Sequence, residues 1–336
     1  MQRATRCPAG PLDREVPRIQ NEQVMKSPQT TMQGSSQTTS SSSSSSRSTN
    51  AAPWRAPFLS HVAQLATATF TLATLHPAGR SEAPTPALPC LPRARTCVFR
   101  GLWAELPASR HNRAPRNPAG VYESDLPVFT TDARSDKATE VFDSAPAGDV
   151  EASGGATGGG GPVEAVFWVD AAGVQTQWRV RGHAWVLAGD VDDEASEGAR
   201  KAREVLRARM RRVGGGGGEG EAEEKGWSFA REVTAHFGNL SPLMRGSFKA
   251  PPPGTPLAYH TAKGEAVGQR LDDLEDETAR RNFRVVVIVP DEVDQVDLSD
   301  ELRPRRWLYV YRGVGGESKL PGGEIIGEWE KVEVWP

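Results

Sequence analysis

Apolar residues fall into short alternating runs divided by turn-forming residues, with a few stretches at helical spacing between them. Trp54, Phe58, Val62 and Leu65 recur at intervals of three and four and predict an opening helix. Residues 70–75 alternate as a strand, and His76-Pro77-Ala78-Gly79 predicts a turn after it. Two further strands are expected over 96–103 and 128–131, the second followed by a short helix over 135–142. Long strands over 163–169 and 174–187 are joined by Asp170-Ala171-Ala172-Gly173. A charged helix over 194–213, read as a solvated insertion, precedes a glycine run at 214–218. Residues 227–237 form a better amphipathic helix, and 283–289, 307–311 and 324–334 supply the last strands. Strands in close succession with helices inserted singly predict a mainly β protein, an antiparallel barrel rather than a βαβ fold.

The first 50 residues differ from the rest. They are rich in Gln, Thr and Ser, with seven consecutive serines at 40–46, and hold too little apolar surface to offset the entropy of ordering. A disordered tail over 1–50 and one domain over 51–336 are expected. Low-complexity insertions fall near 145–162 and 190–226, because the strands on either side of each glycine-rich stretch are too few to close a core alone.

Charge and cysteine content narrow the partners. Acids outnumber bases, 43 to 40, and no basic face emerges, so a nucleic-acid partner is not expected. Three cysteines (Cys7, Cys90, Cys97) make neither a disulfide framework nor a C-x-x-C zinc site. The start of the chain lacks an apolar leader, and the stretch over 62–75 is broken by Gln64 and four threonines, too polar to span a bilayer. The expectation is a cytoplasmic protein without a membrane partner.

Standard catalytic patterns are missing. The glycine runs are flanked by charge rather than set between a strand and a helix, and neither a P-loop nor G-x-S-x-G occurs. Six scattered histidines with no H-E-x-x-H give no metal site. What remains is a set of cations and hydroxyls at strand ends. Arg95-Thr96-Cys97-Val98-Phe99-Arg100 puts guanidiniums at both ends of an apolar segment. Phe129-Thr130-Thr131-Asp132-Ala133-Arg134-Ser135-Asp136-Lys137 ends a strand and opens a helix. Helix-terminal amides, hydroxyls and cations gathered in one place are what a phosphate dianion requires. Plain surface charge is the competing reading of the same residues.

R-T-C-V-F-R-G, then F-T-T-D-A-R-S-D-K, then Gln177-Trp178-Arg179-Val180-Arg181-Gly182 resembles the pyridoxamine 5′-phosphate oxidase-like family of FMN-binding split β-barrels. Met244-Arg245-Gly246-Ser247-Phe248 with Pro251-Pro252-Pro253-Gly254 resembles its fungal and cyanobacterial branch. The resemblance implies FMN at the interface of a homodimer. It implies that Arg95, Thr96, Cys97, Val98 and Arg100 line the flavin, followed by Thr130 and Thr131. Ser135 and Lys137 would hold the phosphate with Arg95, and Gln177 would meet the ring edge. Asp136 stands where the family carries an arginine, so Arg134 would take over that charge. Ser247 and Arg306 are transferred from the C-terminal part of the pattern.

The chain departs from the oxidases in Leu302-Arg303-Pro304-Arg305-Arg306. Leu302 and Pro304 stand where the family's R-x-H-x-R supplies its first arginine and its histidine, and Val296 stands nearest the flavin-contacting tryptophan. Neither leucine nor proline binds phosphate or exchanges a proton. No catalytic residue is assigned and the small-molecule substrate is left open. Three readings remain: a flavin-dependent oxidoreductase, a non-catalytic FMN carrier or redox-responsive module, and a plain β scaffold. The tryptophans Trp54, Trp103, Trp168, Trp178 and Trp185 are expected in the core.

Overall fold

A computed structural model describes residues 51–77, 90–146, 155–213, 226–259 and 265–336. The tail over 1–50, Ala78-Gly79 of the expected turn and the glycine run at 214–218 lie outside the described residues. The chain opens with α1 (Arg55–Val62), then β1 (Thr69–Pro77), β2 (Cys90–Val98), β3 (Tyr122–Ser124), β4 (Val128–Asp132) and α2 (Asp136–Asp143). The long strands β5 (Gly158–Ala171) and β6 (Val174–Leu187) follow, then α3 (Glu197–Ala208), β7 (Met210–Arg212), α4 (Phe229–Asn239), α5 (Pro242–Ser247) and α6 (Glu277–Asn282). The chain ends with β8 (Phe283–Asp297), β9 (Arg305–Tyr311), β10 (Glu324–Ile326) and β11 (Trp329–Val334).

The fold is mainly β. One antiparallel sheet has the order β10-β11-β9-β8-β6-β5-β1-β2, with β4 paired to β8, and β3 pairs β7 separately. Between β2 and β4 the sheet curls back on itself without a continuous ladder. The seam is crossed just past β2, where Arg100 N–H donates to the Val128 carbonyl (2.8 Å) and Val128 N–H to that of Gly101 (3.0 Å). The sheet is not closed, in keeping with the split barrel that the resemblance implies.

Strand periodicity explains how the sheet serves two cores. On β8, Val286 and Ile288 join one apolar cluster with Phe58, Phe129, Phe167 and Trp178. Val285, Val287 and Val289 join the other with Trp103, Trp227 and Phe237. Successive side chains point to opposite faces, so a strand buried on both sides reads as an unbroken apolar run. Trp54, Trp103, Trp178 and Trp185 are buried as expected, whereas Trp168 is half exposed.

Four local expectations shift. The second strand lies earlier than 96–103, because β1 pairs with it from Thr69↔Val98 to Pro77↔Cys90, and Gly101 at φ 99° turns the chain away. That same pairing puts His76 and Pro77 in β1 rather than in a turn. Gly158 to Gly161, expected in a linker, begin β5. A Cβ at Gly161 would overlap Ser144 Oγ and the Val141 carbonyl of α2, so glycine lets the helix lie directly on the strand. The charged α3 is packed rather than solvated, with Ala199, Ala202 and Leu206 fully buried.

Candidate functional site

The residues nominated from the sequence fall in distinct places. On β2, Arg95 shares a strand face with Cys97 and pairs across to buried Leu72. Its guanidinium donates to Thr74 Oγ1 and, at 2.6 Å, to Glu140 Oε2 on α2. Thr74 Oγ1 also donates to that oxygen (2.5 Å), and His76 Nδ1 lies 3.0 Å from Glu140 Oε1. Burial pushes the Glu140 carboxyl up, but the Thr74 hydrogen bond and the charge and hydrogen bond of Arg95 outweigh it and hold the group below its ordinary range.

The start of α2 lies beside this network. Thr131 Oγ1 is 3.0 Å from Ser135 Oγ and accepts from Lys137 Nζ at 3.2 Å. At three other helix starts a serine caps the first turn: Ser196 to Ala199 N, Ser228 to Arg231 N and Ser241 to Met244 N. Ser135 does not; its hydroxyl donates to the Asp132 carbonyl at 2.7 Å. The first-turn amides of α2 are thus left without a side-chain cap, beside a lysine and two hydroxyls. Burial raises the Cys97 thiol's pKa, and Lys137 and Arg95 both pull it down, so both cations act on one point.

Arg134 is committed elsewhere. It grips Asp132 through Nε (2.9 Å) and Nη2 (2.7 Å), and it reaches the Phe248 carbonyl at 3.3 Å. That hydrogen bond to Asp132 holds its pKa above the ordinary arginine value. Thr96 and Val98 alternate with Arg95 and Cys97, and Thr130 with Thr131, so these three take the opposite strand faces. Ser247 is exposed and its hydroxyl donates to the Met244 carbonyl of its own helix (2.7 Å).

Just past β2, Arg100 reaches Met244 Sδ at 3.5 Å, while its buried Nε has no hydrogen-bond partner. It lines a largely apolar cavity of about 540 Å³ with Leu59, Phe99, Leu102, His236 and Leu240. His236 stacks on Trp103 at 5.9 Å and 4°. Burial, then the charge of Arg100, pushes its pKa down to about 3. Glu232 Oε1 lies 3.9 Å from His236 Nε2, beyond hydrogen-bond reach, and burial raises the Glu232 pKa although Asn117 donates to its other oxygen at 2.8 Å.

Gln177 and Arg306 meet in a row across the sheet: Trp168 pairs with Gln177, Gln177 with Val296, and Val296 with Arg306. Arg306 there donates to Asp294 through Nε (3.1 Å) and Nη2 (2.8 Å), and Arg179 shares that carboxylate.

Three partners escaped the sequence reading. Thr74, His76 and Glu140 are brought together by pairing across 64 to 66 residues. The usable signal was a glutamate between Ala138 and Val141 on the buried side of α2. Among the described residues, no cluster of three or more His, Cys, Asp or Glu could hold a metal. No helix among them is long and apolar enough to cross a membrane.

Residues 51–188 match the family described as pyridoxamine 5′-phosphate oxidase, FMN-binding domain. Among solved structures, a pyridoxamine 5′-phosphate oxidase-related, FMN-binding protein from Nostoc punctiforme is similar at 18% identity and a TM-score of 0.46, covering 85% of this chain and 98% of that one. PhzG from Burkholderia lata, solved with tetrahydrophenazine-1-carboxylic acid, is similar at 13% identity and a TM-score of 0.34, covering 84% and 89%. No curated protein matches. The R-T-C-V-F-R-G and F-T-T-D-A-R-S-D-K segments lie inside the stretch that is similar to the pyridoxamine 5′-phosphate oxidase FMN-binding domain family.

Proposed function

We propose that this protein binds FMN and works as a flavin-dependent oxidoreductase resembling pyridoxamine 5′-phosphate oxidase, as a cytoplasmic homodimer of the fungal and cyanobacterial branch. The observation that carries this reading is the uncapped start of α2, where Lys137, Thr131 and Ser135 converge. Its donor set fits a phosphate dianion: hydroxyls, helix-terminal amides and an ammonium that no carboxylate neutralises by direct contact among the described residues. Lys137, Ser135 and Thr131 would hold the phosphate. Arg95, fixed by Glu140, contributes positive field rather than a free guanidinium. Arg100, with its unpartnered Nε, and the apolar cavity past β2 would face the ring. The row of Gln177 and Arg306 would complete the pocket of a second copy.

When bound, FMN supplies hydride acceptance at its ring. The chain's part is to bind, orient and exclude water, which requires no nucleophile or metal. Leu302 and Pro304 offer neither a cation nor a proton, which counts against a phosphorylated pyridoxamine or pyridoxine and leaves the substrate open.

An absorbance spectrum of purified protein, followed by titration with FMN, tests the reading. Flavin bands and saturable binding are expected. Colourless protein that takes up no FMN reduces the chain to a β scaffold. Deleting residues 1–50 is expected to leave FMN affinity unchanged. Anaerobic reduction and a peroxide assay then separate an oxidoreductase from an FMN carrier that never turns over.

A further inference from the structure

A second cavity, of about 310 Å³, lies where the chain before β5, the turn after β6, α4 and the start of β8 meet. Three arginines, Arg280, Arg281 and Arg284, are among the residues that line it, together with one acidic residue, Asp190. Thr131, Ser135 and Lys137 are not among its walls.

Arg280 is held in place without being neutralised. Its Nη2 donates to Thr234 Oγ1 at 2.7 Å and its guanidinium carbon lies 5.6 Å from the centre of the Phe237 ring. Nη1 is buried and has no hydrogen-bond partner. A buried donor left unpaired is costly, more so on a charged group. Arg284 Nη1 donates to the carbonyls of Arg281 and Phe283, both at 2.8 Å, which fixes the base of its guanidinium at the cavity wall. Arg281 stands exposed at the mouth.

Asp190 is largely spent on the backbone. It accepts from Ala156 N (2.7 Å), Thr157 N (3.3 Å) and Thr157 Oγ1 (2.5 Å). Three arginines against one aspartate leave two positive charges in excess within the lining. Asp190 and then Asp132 act on Arg284, and Glu275 on Arg280, through their fields. Burial weakens the hold of both arginines on their protons, which an anion in the cavity would reverse.

We propose that this cavity binds a phosphate-bearing dianion, inorganic phosphate or a small phosphate monoester, between Arg280, Arg281 and Arg284. The excess charge matches a dianion, and guanidinium forks suit tetrahedral oxygens. The volume is at the lower end for small-molecule sites and leaves room for an ester substituent. This proposal does not rest on the flavin reading.

Calorimetric titration at low salt with inorganic phosphate and with glycerol 3-phosphate tests it. Four forms of the full chain are compared: wild type, Arg280→Gln, Arg281→Glu and Lys137→Ala. Saturable binding is expected in wild type and in Lys137→Ala, with at least a tenfold loss in Arg280→Gln. Arg281→Glu alters only an exposed side chain and so keeps the fold; it should also lose at least tenfold. Tighter binding of the ester than of phosphate identifies an esterified ligand, and equal binding identifies the free anion. Absence of binding in wild type overturns the proposal. So does loss in Lys137→Ala with none in the arginine variants, which would assign the anion to the start of α2. If Arg280→Gln instead abolishes FMN binding, the cavity is the flavin's own phosphate site and no second anion site exists.

Discussion

Two of the regions that bury ionisable groups among the described residues do so in opposite ways. Under α2, the Glu140 carboxylate is met by Arg95, Thr74 and His76, and its pKa stays below the ordinary range despite burial. Around Trp103, Glu232 Oε1, His236 Nε2 and Trp103 Nε1 are all buried without a hydrogen-bond partner. Here burial wins: the glutamate is pushed up and the imidazole down to about 3. The first region keeps its charges because they are paired, and the second sheds them because they are not. Charge under α2 is therefore kept, while Glu232 and His236 beside Trp103 are driven toward their neutral forms.

The largest expected effect breaks the paired region. Glu140→Ala strands Arg95 and should cost about 3–5 kcal/mol in urea unfolding. The lower figure is the better guide, because about a fifth of the Arg95 side chain reaches solvent. Stability equal to wild type would show that the network holds nothing together.

Lys137→Ala should behave differently, lowering FMN affinity ten- to a hundredfold, about 1.5–3 kcal/mol, with little change in unfolding. Arg95→Ala combines both outcomes, weakening FMN binding and leaving Glu140 buried without its cation. Titration and unfolding on the same samples separate the two roles. Equal FMN affinity in both variants and wild type would remove these residues from the site.

The unpaired region is read by pH. The His236 ring is neutral in the fold, with a pKa of about 3 against 6.5 when unfolded. Its contribution is full above 6.5 and is lost as pH falls toward 3, at up to about 1.4 kcal/mol per pH unit. Glu232 acts in the opposite sense, because a raised carboxyl contributes stability at low pH that is lost as pH climbs past its ordinary range. His236→Phe keeps a ring against Trp103 and should flatten the loss of stability below pH 6.5, measured by urea unfolding across pH 4.5–7.5. An unchanged slope would mean that His236 takes up its proton alike in the folded and the unfolded chain.

The smallest effect sharpens the contrast between helix starts. Ser196→Ala removes a cap on α3 and should cost about 1 kcal/mol. Ser135→Ala removes no cap but loses the bond to the Asp132 carbonyl, so it should lower FMN affinity as well as stability, whereas Ser196→Ala touches stability alone.

Much of this was legible in the sequence, for physical reasons that differ by residue. Lys137, Ser135 and Thr131 lie within seven positions, and a strand running into a helix must bring them together. Strands β1, β5, β6 and β8 announced themselves by alternation or by unbroken apolar runs. Glu140 could not be read as a partner of Arg95, because the contact depends on how α2 settles against β1 and β2, 45 residues back in the chain. Glycines 158–161 read as a linker by composition, yet they open a strand because the helix above leaves no room for side chains. The alanines of α3 hid a packing face that a search for large apolar residues overlooks.

The bare start of β5 has one more implication. Because the C-terminal half of α2 rests on Gly161, any side chain there acts as a wedge that tips the whole helix, and its far end carries Ser135 and Lys137. On the proposed flavin reading, anion affinity at that far end would thus be adjustable from a position that itself carries no side chain. A screen for variants that lose the cofactor should recover Gly161→Ala beside the lysine.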